Sequence, residues 1–142
     1  MSASYLAAVL LENQKVNPLF RFLDIRLIRA EQGEAVLHLP ARSSLCQGAG
    51  LIAGGMLATL ADEAMAHALM SVMQPEEGCV TVEMNIRYLR AAHPETTTAL
   101  TAMARVLKKG TRMAFVSADV QDDQGHLLAA AGATFSFVSR PS

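Results

Sequence analysis

The sequence predicts an α+β domain in which a curved antiparallel sheet of about six strands wraps one long central helix. Three observations predict it. The run from Gly55 to Met73 has helical length and is apolar on almost every face, and a helix apolar all round is a buried helix. Four strand-like runs follow it, and the segments between them carry turn chemistry. Connections that short make neighbouring strands antiparallel, and a sheet with one dry face needs a cover that the long helix can supply.

The elements follow in order. Ser4 to Gln14 has Leu6, Val9 and Leu10 at helical spacing and reads as a short amphipathic helix, broken at Asn17-Pro18. Phe22 to Ile28 and Ala35 to Leu39 read as strands joined at Glu31-Gln32-Gly33. Pro40 to Gly50 is a loop. The buried helix stops before Pro75. Then come Cys79 to Leu89, Thr97 to Leu107, Met113 to Gln121 and Leu127 to Val138 as strands in meander. The alternation from Thr81 to Leu89 gives that strand one wet and one dry face.

Composition narrows the function. With 142 residues the chain reads as a single domain over 1–142, long enough for a sizeable core. A net charge of -1 and no long basic stripe argue against nucleic acid as partner. Apolar residues make up 51% of the chain, so part of its surface is expected to be buried between subunits. The uncharged stretch Ser43 to Ala61 is too rich in glycine to read as a membrane span. No basic residue precedes the short apolar run near the N-terminus, so no secretory signal is read there. The two cysteines, Cys46 and Cys79, form no disulfide framework or zinc motif. The expectation is a cytoplasmic protein with reduced thiols and no metal.

The chemistry concentrates between Gln47 and Met73. Gly48, Gly50, Gly54 and Gly55 let backbone amides approach a ligand, and the helix N-terminus adds partial positive charge there. Asp62 is an acid on a buried helix, which is costly without a partner or a role. Amide donors together with an acid point to chemistry on a polarised carbonyl. Glu63 competes with Asp62 but lies about 100° round the helix. Glu63 and His67 share a face and read as a structural polar pair at an interface. His38, His93 and His126 show no ligand-like grouping and read as surface residues. The methionines read as core filler, with Met56 and Met65 as alternatives for lining an acyl pocket.

In order, the chain carries Gln47-Gly48-Ala49-Gly50-Leu51-Ile52-Ala53-Gly54-Gly55, then Met56-Leu57-Ala58-Thr59-Leu60-Ala61-Asp62, then Val80-Thr81-Val82-Glu83-Met84-Asn85-Ile86-Arg87-Tyr88. It ends with Gly125-His126-Leu127-Leu128-Ala129-Ala130-Ala131-Gly132-Ala133-Thr134-Phe135. This ordered set resembles the hotdog-fold acyl-CoA thioesterases of the phenylacetate-pathway and human type. Gln47 in place of the family's Asn resembles the 4-hydroxybenzoyl-CoA thioesterase branch. Ala53 replaces the family's His.

The resemblance implies thioester hydrolysis on a coenzyme A-linked acyl group. It assigns Asp62 as nucleophile or general base, and the Gly54 amide as the donor that polarises the carbonyl. Gln47 and Thr81 position the water or the acyl carbonyl. Gly55 contacts substrate. Lys108, Lys109 and Arg112 flank a turn that reads first as a solvated hairpin tip, with contact to the phosphates of coenzyme A as the functional alternative; Arg87 and Arg90 are weaker candidates. The resemblance implies no cofactor beyond the coenzyme A of the substrate. It implies a homodimer as minimal unit, with Gln47 and Gly54 from one subunit and Asp62 and Thr81 from the other, and dimers that pair into a homotetramer. The alternative is a non-catalytic acyl-CoA-binding protein on the same scaffold, which Ala53 favours. A dehydratase needs a catalytic His near the helix, and His67 is the only helix histidine.

Overall fold

The computed structural model describes residues 3–139. Residues 1–2 and 140–142, which the single-domain expectation includes, lie outside the described residues. The chain runs α1 Ala3–Val9, α2 Pro18–Leu23, β1 Arg26–Glu31, β2 Glu34–Pro40, a 3-10 turn Ser43–Leu45, α3 Gly54–Met70, β3 Glu77–Tyr88, β4 Ala99–Lys109, β5 Met113–Asp122 and β6 Leu127–Ser139. The six strands form one antiparallel sheet in the order β1-β2-β4-β5-β6-β3, so the expected α+β architecture is what is found.

Two details differ from the sequence expectation. The strand expected from Phe22 starts only at Arg26, because Asn17-Pro18, expected to break the first helix, opens a second one; the first already ends at Val9, short of the expected Gln14. The Asn17 side chain accepts from the Phe20 amide at 3.1 Å, and Pro18 sits in the first turn. That helix buries Phe20 and Leu23 at i, i+3 spacing and ends at Asp24 in the left-handed region, φ 64°. The second difference is the meander. Strands β4, β5 and β6 are sequential neighbours, but β3 lies beyond β6 at the sheet edge and β2 takes the place next to β4. Residues 89–98 are long enough to carry the chain between those distant positions.

Helix α3 lies across the concave face. Leu57, Leu60, Ala61, Ala64, Met65, Ala68 and Leu69 are buried against it, opposite Leu37, Leu39, Leu100, Val116, Val120, Leu128 and Phe135. Alanines at 102, 114, 118 and 129 keep the facing strands shallow enough for the helix to sit close. Truncating Leu60 in this core would cost about 2–5 kcal/mol.

The strand β3 is an edge with exposed Val80, Val82 and Tyr88, and Leu89 just beyond it is exposed too. A long apolar edge is a template for pairing with another strand. No described helix is long and apolar enough to cross a membrane.

Candidate active site

The start of α3 is an open amide end. The loop before it closes through Gln47 N–H to Leu51 O at 2.8 Å and Gly50 N–H to Gln47 O at 2.9 Å, with Gly50 at φ 85° where glycine is favoured. Ala53 is the N-cap and is tied down by its amide on Leu45 O at 2.9 Å, yet its side chain caps nothing. The amides of Gly54 and Gly55, the first residues of the helix, have no acceptor within the helix. The positive end of the helix dipole sits at the same place. Gln47 is exposed, and its side-chain oxygen accepts from the Ala49 amide, so it folds back on its own loop.

Tyr88 braces this end from β3. Its hydroxyl donates to Gly54 O at 2.9 Å. A methyl group on Gly54 would come within 3.1 Å of the Tyr88 ring, so glycine here permits that close approach. The sequence reading gave Tyr88 no role. Tyrosine is common in strands, and nothing in the spacing marks it as a partner of the helix start.

Farther along α3, Asp62 Oδ1 accepts a hydrogen bond from Thr81 Oγ1 at 2.8 Å. Simple alternation would put Thr81 on the same face as Glu83, Asn85 and Arg87. The β3–β6 register shifts between Thr81 and Glu83, which leaves Val82 as a bulge. Thr81 therefore pairs with buried Phe135 and faces the helix, whereas Glu83 pairs with Thr134 and faces out, bonded to its hydroxyl at 2.9 Å. Bulges of this kind re-aim side chains beside active sites.

Glu63 and His67 depart from the expected polar pair. His67 is 1% exposed and lies in the core of the chain itself. Its Nδ1 meets the Glu63 backbone carbonyl at 2.7 Å, so Nδ1 carries the proton, and Nε2 accepts from Tyr5 Oη at 3.0 Å. The Tyr5 oxygen in turn accepts from Asn17 Nδ2 at 3.0 Å. His67 thus joins α1 and α2 to the central helix. Burial holds its pKa below the ordinary value, partly offset by the bond to Glu63 O. The Glu63 carboxyl is pushed up to about 7, first by burial and then by the charge of Asp62.

The hairpin tip carries Lys108, Lys109 and Arg112. Lys109 is engaged within the chain, 3.5 Å from Glu77 and 4.7 Å above the Phe137 ring, at the end of β3 away from Tyr88. Among the described residues, no three His, Cys, Asp or Glu converge as metal ligands do. Met65 is fully buried in the core, whereas Met56 reaches an open cleft.

The candidate residues therefore fall into two groups. Gln47, Gly54 and Gly55 gather at the helix start; Asp62 and Thr81 meet farther along. Eight residues of helix separate Gly54 from Asp62, about 12 Å along the axis. One chain does not bring both groups onto a single carbonyl.

The family model of the thioesterase superfamily matches residues 49–129, which includes Gly54, Gly55, Asp62 and Thr81 but begins after Gln47. Human acyl-coenzyme A thioesterase 13 is 32% identical over 108 residues, 76% of this chain and 75% of its own length. A conserved protein from Pseudomonas aeruginosa superposes with a TM-score of 0.79 at 28% identity, over 87% of this chain and 95% of that one. The PaaI protein of the Escherichia coli phenylacetic acid degradation operon has the same fold, with a TM-score of 0.78 at 23% identity over 87% of this chain and 86% of that one. By its sheet order, its central helix and these matches, the chain belongs to the thioesterase superfamily of thioester hydrolases, on the hotdog fold.

Proposed function

We propose that the chain is a single-domain acyl-CoA thioesterase whose site is built between two copies. The observation that carries this reading is the split along α3: open amides at Gly54 and Gly55, and a hydrogen-bonded acid at Asp62 about 12 Å away. Pairing of β3 edges would bring the Asp62 of one copy towards the helix start of the other. Exposed Val80 and Val82 on that edge support such pairing. The name of the human relative supports coenzyme A as the thiol. Two such dimers pairing into a tetramer remain part of the same reading.

In the reaction, the thioester oxygen sits against the Gly54 amide. Asp62 attacks the carbonyl carbon, or takes a proton from a water that does. The tetrahedral oxyanion gains its negative charge where the helix dipole and amides favour it. It collapses with loss of the thiolate, which takes up the proton released by water; where Asp62 itself has attacked, that water then cleaves the acyl–Asp62 anhydride to give the free acid and restore the carboxylate. Thr81 fixes the Asp62 carboxylate, and Gln47 would turn outward from its own loop to orient the acyl carbonyl or water. Lys108 and Arg112 would receive phosphates, and Lys109 joins them only by leaving Glu77.

Asp62→Asn tests the assignment. The expected outcome is an intact fold and a kcat lowered by roughly three orders of magnitude or more. Near-wild-type release of free thiol from acyl-CoA would rule Asp62 out. The second reading, a non-catalytic acyl-CoA binder, rests on Ala53, which leaves the helix start without a capping side chain. Tight acyl-CoA binding with no thiol release by the wild-type protein would favour it.

A further inference from the structure

An apolar cleft of about 460 Å³ opens beside the helix start, between the end of α2, the 3-10 turn and the first turn of α3. Phe22, Leu23, Leu45, Cys46, Ala53 and Met56 line it, with Arg42 and Ser44 at the rim. Arg42 holds its two sides together: Nη1 donates to Leu23 O at 2.9 Å and Nε to Ser44 Oγ at 3.0 Å. Those bonds direct the guanidinium into the scaffold, so the walls offer carbon. Phe22 is 80% exposed, an unusual amount of aromatic surface to leave in water. Two of its lining residues, Ala53 and Met56, flank Gly54 and Gly55 in the first turn of α3, which puts the cleft beside the amide end of that helix. A side chain larger than alanine at position 53 would narrow its mouth.

We propose that this cleft receives the acyl chain of the substrate and makes the enzyme selective for medium-length apolar acyl groups over acetyl. The proposal rests on the reading of Gly54 as the carbonyl's donor. With the carbonyl on that amide, the neighbouring Ala53 methyl and Met56 side chain are the surfaces that an outgoing chain meets. Met56 is flexible enough to fit chains of different shape.

The test has two arms. The first measures kcat/KM for saturated acyl-CoAs from acetyl to decanoyl. A methylene buried completely is worth roughly fourfold, and in a cleft open on one side roughly twofold, so octanoyl-CoA is expected to exceed acetyl-CoA on the order of fifty-fold. Ser44→Trp, which plugs the cleft from an exposed position on its rim, is expected to cut that ratio to below about fivefold. The second arm needs no turnover. Cys46 lines the cleft, whereas burial pushes the Cys79 thiol up to about 11 and keeps it protonated, so iodoacetamide at mildly alkaline pH reads Cys46. Octanoate is expected to slow alkylation of Cys46, followed by peptide mass spectrometry, and Ser44→Trp to abolish that protection. No protection, or an unchanged octanoyl-to-acetyl ratio in Ser44→Trp, overturns the proposal while thioester hydrolysis stands. If no acyl-CoA is hydrolysed at all, the enzymatic reading fails, and the protection arm alone decides whether the cleft binds acyl chains.

Discussion

Thr81 donates to Asp62 at 2.8 Å, and it reaches that acid because β3 bulges at Val82. The bulge turns Thr81 inward while Glu83 stays outward. The contact is thus a product of sheet register in β3 as well as of the helix that carries the acid. A hydrogen bond to a charged group is worth about 1.5–3 kcal/mol.

Thr81→Val keeps the shape of the side chain and removes the donor. The expected result is kcat lowered by about 10- to 100-fold with KM little changed, and near-complete recovery in Thr81→Ser. Thr81 is exposed, so thermal stability should move little. Equal activity in Thr81→Val and wild type would mean that the hydroxyl does not position the acid.

Gly54 can be tested for its amide alone. It is the first helical residue, where proline is tolerated, and Ala53 before it has φ -61° and ψ 136°, the conformation a following proline requires. Gly54→Pro deletes the N–H, and Gly54→Ala keeps it while bringing the same Cβ near the Tyr88 ring. The comparison separates the donor from the crowding. Gly54→Pro is expected to be slower than Gly54→Ala by about 10²–10³ in kcat. Circular dichroism should show the helix retained in both.

Glu63 and His67 pull pH stability in opposite directions. The Glu63 pKa rises from 4.5 to about 7 on folding, so the folded state holds the extra proton. Its contribution is fully present below 4.5 and is lost as pH rises through about 7. The His67 pKa is lowered from 6.5, so its contribution is present above 6.5 and lost as pH falls through the folded value. Glu63→Gln removes the first effect. Its Tm advantage over wild type is expected to be small near pH 5 and to grow by about pH 8, as read by circular dichroism melts at both values. A constant difference across that range would show that Glu63 does not change protonation on folding.

Much of this was legible in the sequence, and the reasons are particular. The central helix announced itself because nearly every face is apolar, and Asp62 stood out as the acid within it. The hairpin at Gln32-Gly33 was equally plain; both residues have positive φ, 53° and 80°, as a tight two-residue turn demands. The short helix at Pro18–Leu23 was not, because six residues carry too little periodicity to separate from a strand. The place of β3 beyond β6 was also hidden, since local pattern does not reveal which strands a long connection joins. His67 looked like half of a polar pair because i, i+4 spacing does not tell a backbone carbonyl from a carboxylate. The bulge at Val82 and the brace from Tyr88 depend on register and distance, which a linear pattern does not contain. The acid and the amides could be named from the chain, and helix geometry alone spaces them about 12 Å apart.

That separation makes mixing of two inactive variants the most direct measurement. Asp62→Asn and Gly54→Pro are co-refolded in equal amounts and assayed for thiol release from an acyl-CoA. In a mixed dimer, the intact Asp62 of one copy meets the intact Gly54 of the other, so one site of two is whole. Half of the dimers are mixed, and about a quarter of wild-type activity is expected to return. No recovery above the separate variants, with mixed dimers shown to form, would place the acid and the amide in the same chain and contradict the account.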